Sequence, residues 1–235
     1  MRAFAPSALL IVLPVAVTGV ASYLAFSPQW SGALAFWLLL CGALVSLGAI
    51  AAVWGAREGL LREWLTPRAG DFTRGWVGLA ILYLAAWGFA RVVAPVGSKR
   101  EIWLVSLYGQ LGDPRALQSH ALPVAAAIVL ASVAEEIVWR GMVTQLLADR
   151  LGSRWAWAWA AGLYAVANVP TVVSLSSGSG WASWNPVLLF AAAGGGVLWG
   201  AMARRFGRLA PGIVAHALFD WVVVMMFPVW GGWAR

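Results

Sequence analysis

Long apolar stretches separated by short polar segments dominate this chain. A helix that crosses the hydrocarbon core of a bilayer needs about 20 apolar residues. Seven stretches come near that length, so the pattern predicts an all-α, polytopic membrane helix bundle with about seven transmembrane helices. The predicted spans are residues 7–26, 32–53, 76–93, 122–147, 155–169, 186–203 and 211–230.

Two of the remaining segments are too short to cross a bilayer. Residues 56–65 (AREGLLREWL) mix leucines with charged side chains, as a short amphipathic helix at the membrane interface does. Residues 102–111 are apolar but well below the spanning length, so we expect an interfacial or re-entrant segment there. The first apolar stretch is long for the core of a cleaved signal peptide, and we expect a retained helix.

Composition supports an integral membrane protein. The chain is 62% hydrophobic and 11% charged, whereas soluble domains carry about 25% charged residues. The net charge of +7 could suit nucleic acid, but the basic residues lie between apolar stretches, so no nucleic-acid partner is expected. Cys41 is the single cysteine, which rules out a disulfide framework. Nothing divides the chain, and residues 1–235 are expected to form one membrane domain.

The basic residues also predict how the chain is oriented. Cytoplasmic loops of membrane proteins carry an excess of Lys and Arg. A cytoplasmic N-terminus gives that excess to one side, and the other side then has two uncharged loops, around Pro28 and at 176–180. The predicted cytoplasmic residues are Arg2, Arg57, Arg62, Arg68, Arg74, Arg150, Arg154, Arg204, Arg205 and Arg208, and the predicted outer ones are Arg91, Lys99, Arg100, Arg115 and Arg235.

Five ionisable residues interrupt two of the predicted spans: Glu135, Glu136 and Arg140 in the fourth, and His216 and Asp220 in the last. A charged side chain at the centre of a bilayer costs about 2.5–3.5 kcal/mol even on the mildest insertion scale. Residues of this kind inside a membrane usually serve a function. The five residues are therefore the first candidates for a functional site.

The run EEIVWR gives its two glutamates different expected roles. Glu136 and Arg140 are four residues apart, which places them on one helix face as an ion pair that could serve packing alone. Neighbouring helical residues point about 100° apart, so Glu135 should face elsewhere and lack a local partner. A desolvated carboxylate beside a like charge suits general acid–base chemistry.

His216 and Asp220, in HALFD, are also four residues apart and share a helix face. A carboxylate one turn from an imidazole can orient the ring, although such a pair can also only join helices. With a rise of about 1.5 Å per residue, both lie with Glu135 in the predicted cytoplasmic half of the bilayer or near its midplane. His120 lies at the outer end of its helix and is expected to be a loop residue.

The patterns E-E-x-x-x-R and H-x-x-x-N/D, on separate membrane helices, resemble those of the CPBP family. This family contains CAAX-processing intramembrane glutamic endopeptidases and bacteriocin-immunity relatives. The resemblance covers about residues 122–227 and implies a catalytic core at 120–230, after N-terminal helices and an interfacial segment at 1–115. It also implies that His216 and Asp220 stabilise an oxyanion or complete the polar site.

The family's middle motif, F-x-x-x-H, is altered in this chain. In LYAVANVP, Tyr164 takes the aromatic position and Asn168 replaces the expected histidine. The resemblance implies that Glu135 and that histidine activate water, and Asn168 can position water but cannot accept a proton. Either Glu135 acts as the sole base, with His216 as the acid, or the family branch tolerates Asn, or catalysis is lost. Asn168 could equally form only a helix-to-helix hydrogen bond.

The leading interpretation is an intramembrane endopeptidase that cleaves a membrane-associated peptide or protein tail. It needs no cofactor and no metal, and we expect it in a bacterial inner membrane among lipids. The alternative is a catalytically impaired relative that acts as an immunity or membrane assembly factor, because of Asn168. A metalloprotease ranks low since H-E-x-x-H is missing. A proton-conducting transporter would predict inverted repeats, which are not visible.

Overall fold

The computed structural model describes residues 4–176 and 183–231, and every regular element in those two ranges is helical. The predicted all-α, polytopic membrane bundle is confirmed. Arg2, Arg235 and most of the loop at 176–180 lie outside the described residues. The longer helices are α1 (Phe4–Ala25), α2 (Leu34–Arg57), α4 (Asp71–Val93), α7 (Ala121–Leu151), α8 (Ala156–Ala167), α10 (Val187–Phe206) and α11 (Ala210–Met226), and the shorter ones are α3 (Leu61–Leu65), α5 (Glu101–Leu111), α6 (Pro114–Ser119) and α9 (Thr171–Ser174).

Six helical segments within the described residues are long and apolar enough to cross a membrane, with α8 and α9 together forming one of them. The predicted count of seven is not confirmed, because α11 is shorter than each of these six segments. The predicted last span, 211–230, included four residues that are not helical. The chain leaves the helix at Phe227, where φ is −130° and ψ is 72°.

The two short segments differ in how well they were predicted. The amphipathic helix expected at 56–65 is wrong in extent, because α2 continues to Arg57 and only Leu61–Leu65 forms a separate helix. Gly59, with φ of +75°, makes the turn between them. The apolar segment at 102–111 forms α5, whose Tyr108 hydroxyl donates to the Val223 carbonyl at 2.7 Å.

Small residues allow the helices that carry the polar residues to approach their neighbours closely. A Cβ atom added to Gly48 of α2 would lie 2.5 Å from the Cβ of Ala134, one residue before Glu135. A Cβ atom added to Gly75 of α4 would lie 2.3 Å from Cγ1 of Val214 on α11. Such small-residue contacts let membrane helices pack backbone to backbone. They fix α7 against α2, and α11 against α4.

A buried charge cluster ties α4 to the turn before α11. The Asp71 carboxylate accepts hydrogen bonds from Nε of Arg208 at 2.8 Å and from Nη2 of the same guanidinium at 2.5 Å. It also accepts one from Nη1 of Arg74 at 3.0 Å and one from the Arg68 backbone at 2.8 Å. The bonds to Asp71 raise the pKa of Arg208 above its ordinary value. We call these four residues the Asp71 clamp.

The middle of α7 departs from the α-helical pattern. Residues Glu136–Val143 form a π-helix, in which the backbone bonds run to the fifth residue instead of the fourth. Every residue of this segment is buried. π-Helical segments are rare and are frequently found at functional sites. The π segment begins at the second glutamate of the candidate site.

Candidate active site

The predicted ion pair between Glu136 and Arg140 is present at the centre of α7. Nη1 of Arg140 lies 3.3 Å from Oε1 of Glu136. The exposed fraction of the side chain is 0% for Glu136 and 3% for Arg140, so the pair is shielded from solvent. A buried pair is stable only when good geometry and further hydrogen bonds offset the loss of hydration.

His216 on α11 brings the carboxylates of both helices together. Its Nδ1 lies 3.1 Å from Oε1 of Glu136. Its Nε2 lies 3.4 Å from Oε2 of Glu135 and 3.5 Å from Oδ2 of Asp220. The two glutamates thus reach the same imidazole from opposite ring nitrogens. The π segment begins at the second of them, Glu136.

Glu135 has a second neighbour that the sequence reasoning did not assign to it. The hydroxyl of Tyr164, on α8, donates to Oε2 of Glu135 at 3.1 Å. The pattern of α7 gave Glu135 no partner within its own helix, and the structure supplies one from α8. Three helices, α7, α8 and α11, contribute side chains to the group formed by Glu135, Glu136, Arg140, Tyr164, His216 and Asp220, which we call the carboxylate–histidine site.

Aromatic rings enclose the charged groups of this site. The Arg140 guanidinium carbon lies 4.7 Å from the centre of the Tyr164 ring and 5.1 Å from that of the Trp199 ring. Trp199 also stacks on the His216 imidazole, with ring centres 3.7 Å apart and planes 17° apart. Cations are attracted to aromatic faces, more so where water is excluded. These contacts pack the Arg140 guanidinium and the His216 imidazole against aromatic rings.

A glycine on α11 makes room for the Glu136 carboxylate. A Cβ atom added to Gly212 would lie 2.9 Å from Oε2 of Glu136, closer than carbon and oxygen can approach. Gly212 is one turn before His216 on the same helix. Its missing side chain therefore lets the carboxylate lie against α11, where it meets the imidazole.

The site leaves several buried polar atoms without a hydrogen bond among the described residues. These atoms are Oε2 of Glu136 and both terminal nitrogens of Arg140, although Nη1 is in the ion pair. Buried polar groups are nearly always hydrogen-bonded, and the exceptions are often functional. The site is therefore less completely bonded than a purely structural ion pair.

Exposure increases from one end of the site to the other. The exposed fraction of the side chain is 0% for Glu136, 3% for His216, 12% for Glu135 and 35% for Asp220. Glu135 and Asp220, which flank Nε2 of His216, thus form the accessible side. Glu136 and Arg140 lie behind this side.

Asn168 and His120 lie apart from these contacts. The amide nitrogen of Asn168 donates to the Tyr164 carbonyl at 2.9 Å, one turn back on its own helix. Within residues 4–176 and 183–231, no hydrogen bond or ion pair joins the Asn168 side chain to Glu135, His216 or Asp220. His120 is exposed at the start of α7, in agreement with its expected position outside the site.

The contacts of three residues near the site could not be read from the sequence. The resemblance placed Tyr164 at the aromatic position of the middle motif, but gave its hydroxyl no partner. Trp199 is one of 17 tryptophans, and Gly212 one of 26 glycines. Only the packing of α8, α10 and α11 around α7 shows what they contact. In the described part of the chain, no group of three or more His, Cys, Asp and Glu is arranged to hold a metal ion.

Comparison with known proteins gives one family. The model of Rce1-like proteins, described as type II CAAX prenyl endopeptidases, matches residues 117–222. The matched segment contains the whole carboxylate–histidine site. The resemblance to the CPBP family is confirmed, and the family implies a protease that acts within the membrane. No curated protein and no solved structure shows a significant match.

Proposed function

We propose that this chain, Rce1-like over residues 117–222, is an endopeptidase in which Glu135 activates the attacking water. The observation that carries the proposal is the convergence on His216. One ring nitrogen faces Glu136, and the other faces the more accessible Glu135 and Asp220. An imidazole fixed at one nitrogen and open at the other is suited to proton transfer.

Glu135 acts as the general base. Its Oε2 accepts the hydrogen bond from Tyr164, which leaves Oε1 for a water molecule on the accessible side. As the water oxygen bonds to the carbonyl carbon, one water proton passes to Glu135 and the carbonyl oxygen becomes an oxyanion. Tyr164 is a positioning residue in this scheme, because a fixed carboxylate makes the attack geometry more probable.

His216 acts as the electrophile and then as the acid. Its protonated Nε2 stabilises the oxyanion and then gives its proton to the leaving nitrogen as the carbon–nitrogen bond breaks. Glu135 then returns the proton that it took from water to Nε2 of His216, which restores both groups. Glu136 fixes the ring through Nδ1, and Asp220 stabilises its charged form. The net reaction consumes one water for each peptide bond.

Arg140 and Asn168 have supporting roles in this proposal. Arg140 offsets the charge of Glu136 and is held between Tyr164 and Trp199. Asn168 completes the last turn of α8 by bonding to the Tyr164 carbonyl, and so contributes to the position of the Tyr164 hydroxyl. This replaces the expectation that Asn168 itself holds the water or the oxyanion.

The substrate is a membrane-associated peptide or protein tail, which reaches the site from the lipid or from the predicted cytoplasmic face. CAAX-like tails, sorting tags and the precursors of secreted peptides all fit this description. We place the protein in a bacterial inner membrane. A substrate that is anchored in the same membrane is concentrated near the protein, which favours binding.

Mapping of protein termini tests the proposal. Membrane fractions of cells with wild type, Glu135→Gln or His216→Ala at equal expression are compared by mass spectrometry of peptide termini. Arg205→Gln, on the surface of α10, serves as a control for expression and insertion. We expect a set of termini present with wild type and the control and lost in both site variants. Identical profiles in all four would contradict the proposal.

A further inference from the structure

A cavity lies beyond Arg140, at the end of α7 that is predicted to face the cytoplasm. Its volume is about 200 Å³, and it is bounded by the end of α7, the start of α8, the end of α10 and the turn before α11. Arg140, Arg204 and Arg208 line it, and the lining includes no Asp or Glu. Arg140 is paired with Glu136 and Arg208 with Asp71, so the uncompensated positive charge at the cavity is that of Arg204. Glu135, His216 and Asp220 do not line it.

Two side chains that line this cavity have buried donors without a hydrogen bond in the described part of the chain. They are Arg140, whose Nη1 is in the ion pair with Glu136 while Nη2 has no such partner, and Trp157, through its Nε1. Arg140 is only 6% exposed, so these donors cannot be satisfied by bulk water. Neutral donors and acceptors of Gln145 and Ser153 lie in the same lining. This set of groups is suited to an oxyanion, which accepts several hydrogen bonds at once.

The charge of Arg204 is also free to attract an anion. Arg208 is engaged by Asp71, whereas Arg204 is exposed and donates to the backbone carbonyl of Arg154. A backbone carbonyl satisfies a donor but does not neutralise the charge. In residues 4–176 and 183–231, Arg204 has no ion pair with a carboxylate.

We propose that this cavity binds a phosphate group with net negative charge, supplied by an anionic lipid headgroup or by free phosphate. Guanidinium groups bind phosphate oxygens through paired hydrogen bonds. Basic pockets between membrane helices on the cytoplasmic side are suited to lipid headgroups. Trp64 and Trp157, whose rings are amphipathic, line the cavity and suit the interface region. The bound group would contact Arg140, and through it Glu136 and the site.

A ligand titration tests the proposal without using peptide cleavage, so the two proposals can fail separately. The purified full-length chain in neutral detergent is titrated with dioctanoyl phosphatidylglycerol or dioctanoyl phosphatidylcholine while its unfolding temperature is recorded. Arg204→Gln removes one lining charge. Arg205→Gln removes an equally exposed charge from the next position of α10, which does not line the cavity.

We expect phosphatidylglycerol, and not phosphatidylcholine, to raise the unfolding temperature in a saturable way. Arg204→Gln should raise its apparent Kd about fivefold, and Arg205→Gln by less than about twofold, as one basic side chain near a lipid anion implies. Equal Kd values for the two variants would overturn the proposal, as would equal effects of the two lipids.

Two further titrations identify the source of the anion. If inorganic phosphate reproduces the shift and competes with phosphatidylglycerol, free phosphate is the ligand; if it does neither, the lipid headgroup is. Either result supports a phosphate site.

A peptide titration tests the rival ligand, a peptide carboxylate. Acetyl-Leu-Ala-Leu is compared as free acid and as carboxamide. The proposal would be overturned in favour of a peptide carboxylate if the acid, but not the carboxamide, raised the unfolding temperature and Arg204→Gln abolished that rise. In that outcome neither phosphatidylglycerol nor phosphate would raise the unfolding temperature.

Discussion

Two buried carboxylate–arginine pairs among the described residues differ in how completely their hydrogen bonds are made. In the Asp71 clamp, the carboxylate accepts bonds from Arg208, from Arg74 and from the backbone. In the carboxylate–histidine site, Oε2 of Glu136 and the terminal nitrogens of Arg140 have no hydrogen bond among the described residues. The first pair lies where α4 begins, and the second in the middle of a membrane helix.

The difference separates a structural role from a functional one. A fully bonded polar network stabilises one arrangement, whereas a partly bonded one costs stability that an apolar core would not lose. Charges retained at that cost in a membrane interior are expected to act on something. We therefore expect substitutions in the clamp to change stability, and substitutions in the site to change activity.

The largest effect on stability is expected from Asp71→Asn. This change leaves the Arg208 guanidinium facing a neutral group, and breaking a buried pair is strongly destabilising. We expect the unfolding temperature to fall by about 5–10 °C, while the cleavage rate per folded molecule stays within about twofold. Thermal unfolding and a cleavage assay on the same preparation measure both. Glu58→Gln, at an exposed carboxylate at the end of α2, should change neither.

If Asp71→Asn abolished cleavage without lowering the unfolding temperature, the assignment of the two clusters would be reversed. The clamp would then belong to the site, and the comparison would fail.

Gly212→Ala sharpens the comparison from the side of the site. The new Cβ atom would lie 2.9 Å from Oε2 of Glu136, so the carboxylate must move away from His216. A shift of about 1 Å in catalytic geometry can cost about 10²-fold in rate, and we expect a loss of that size. Gly194→Ala on α10, where nothing lies within 4 Å of the added atom, is the matched control and should keep the wild-type rate. Equal cleavage rates for the two variants would show that the position of the Glu136 carboxylate does not affect catalysis.

Tyr164→Phe tests the hydrogen bond that the sequence did not predict. The change removes the hydroxyl that donates to Glu135 and keeps the ring against Arg140. A hydrogen bond to a charged group supports a fall in cleavage rate of about tenfold. Tyr23→Phe, at an exposed tyrosine of α1, provides the control. An unchanged rate in Tyr164→Phe would mean that Glu135 needs no positioning by α8.

The fold could be predicted from the sequence to the level of helices and their approximate ends. Apolar length alone located the segments, because a bilayer requires long apolar helices. Apolar length did not predict the ends of helices where the apolar stretch and the helix differ in extent. At the end of α11 the apolar residues continue beyond Met226 although the helix does not, and at Gly59 a turn separates α2 from α3.

The candidate site could be predicted in its residue types but not in its contacts. The spacing of four residues predicted the ion pair between Glu136 and Arg140, because both residues lie on one helix. The contact of Glu136 with His216 joins two helices and depends on the space at Gly212. The reach of Glu135 to His216 accompanies a π segment, which a pattern based on 3.6 residues per turn does not reveal.

The smallest effect is expected from Asn168→Ala. Its side chain bonds to a carbonyl of its own helix, and local bonds of this kind contribute little. We expect the cleavage rate to stay within about threefold of wild type, measured beside Tyr164→Phe. A loss as large as that of a catalytic group, about 10²-fold or more, would show that the amide contacts the reacting atoms when substrate is bound.

The most direct test of the central claim is the cleavage rate of purified Glu135→Gln on a peptide identified by terminus mapping. The substitution keeps the size of the side chain and removes its ability to accept a proton. The account predicts a loss of about 10²–10⁴-fold with an unfolding temperature close to that of wild type. Cleavage within about tenfold of wild type would contradict it, because Glu135 would then not be the base.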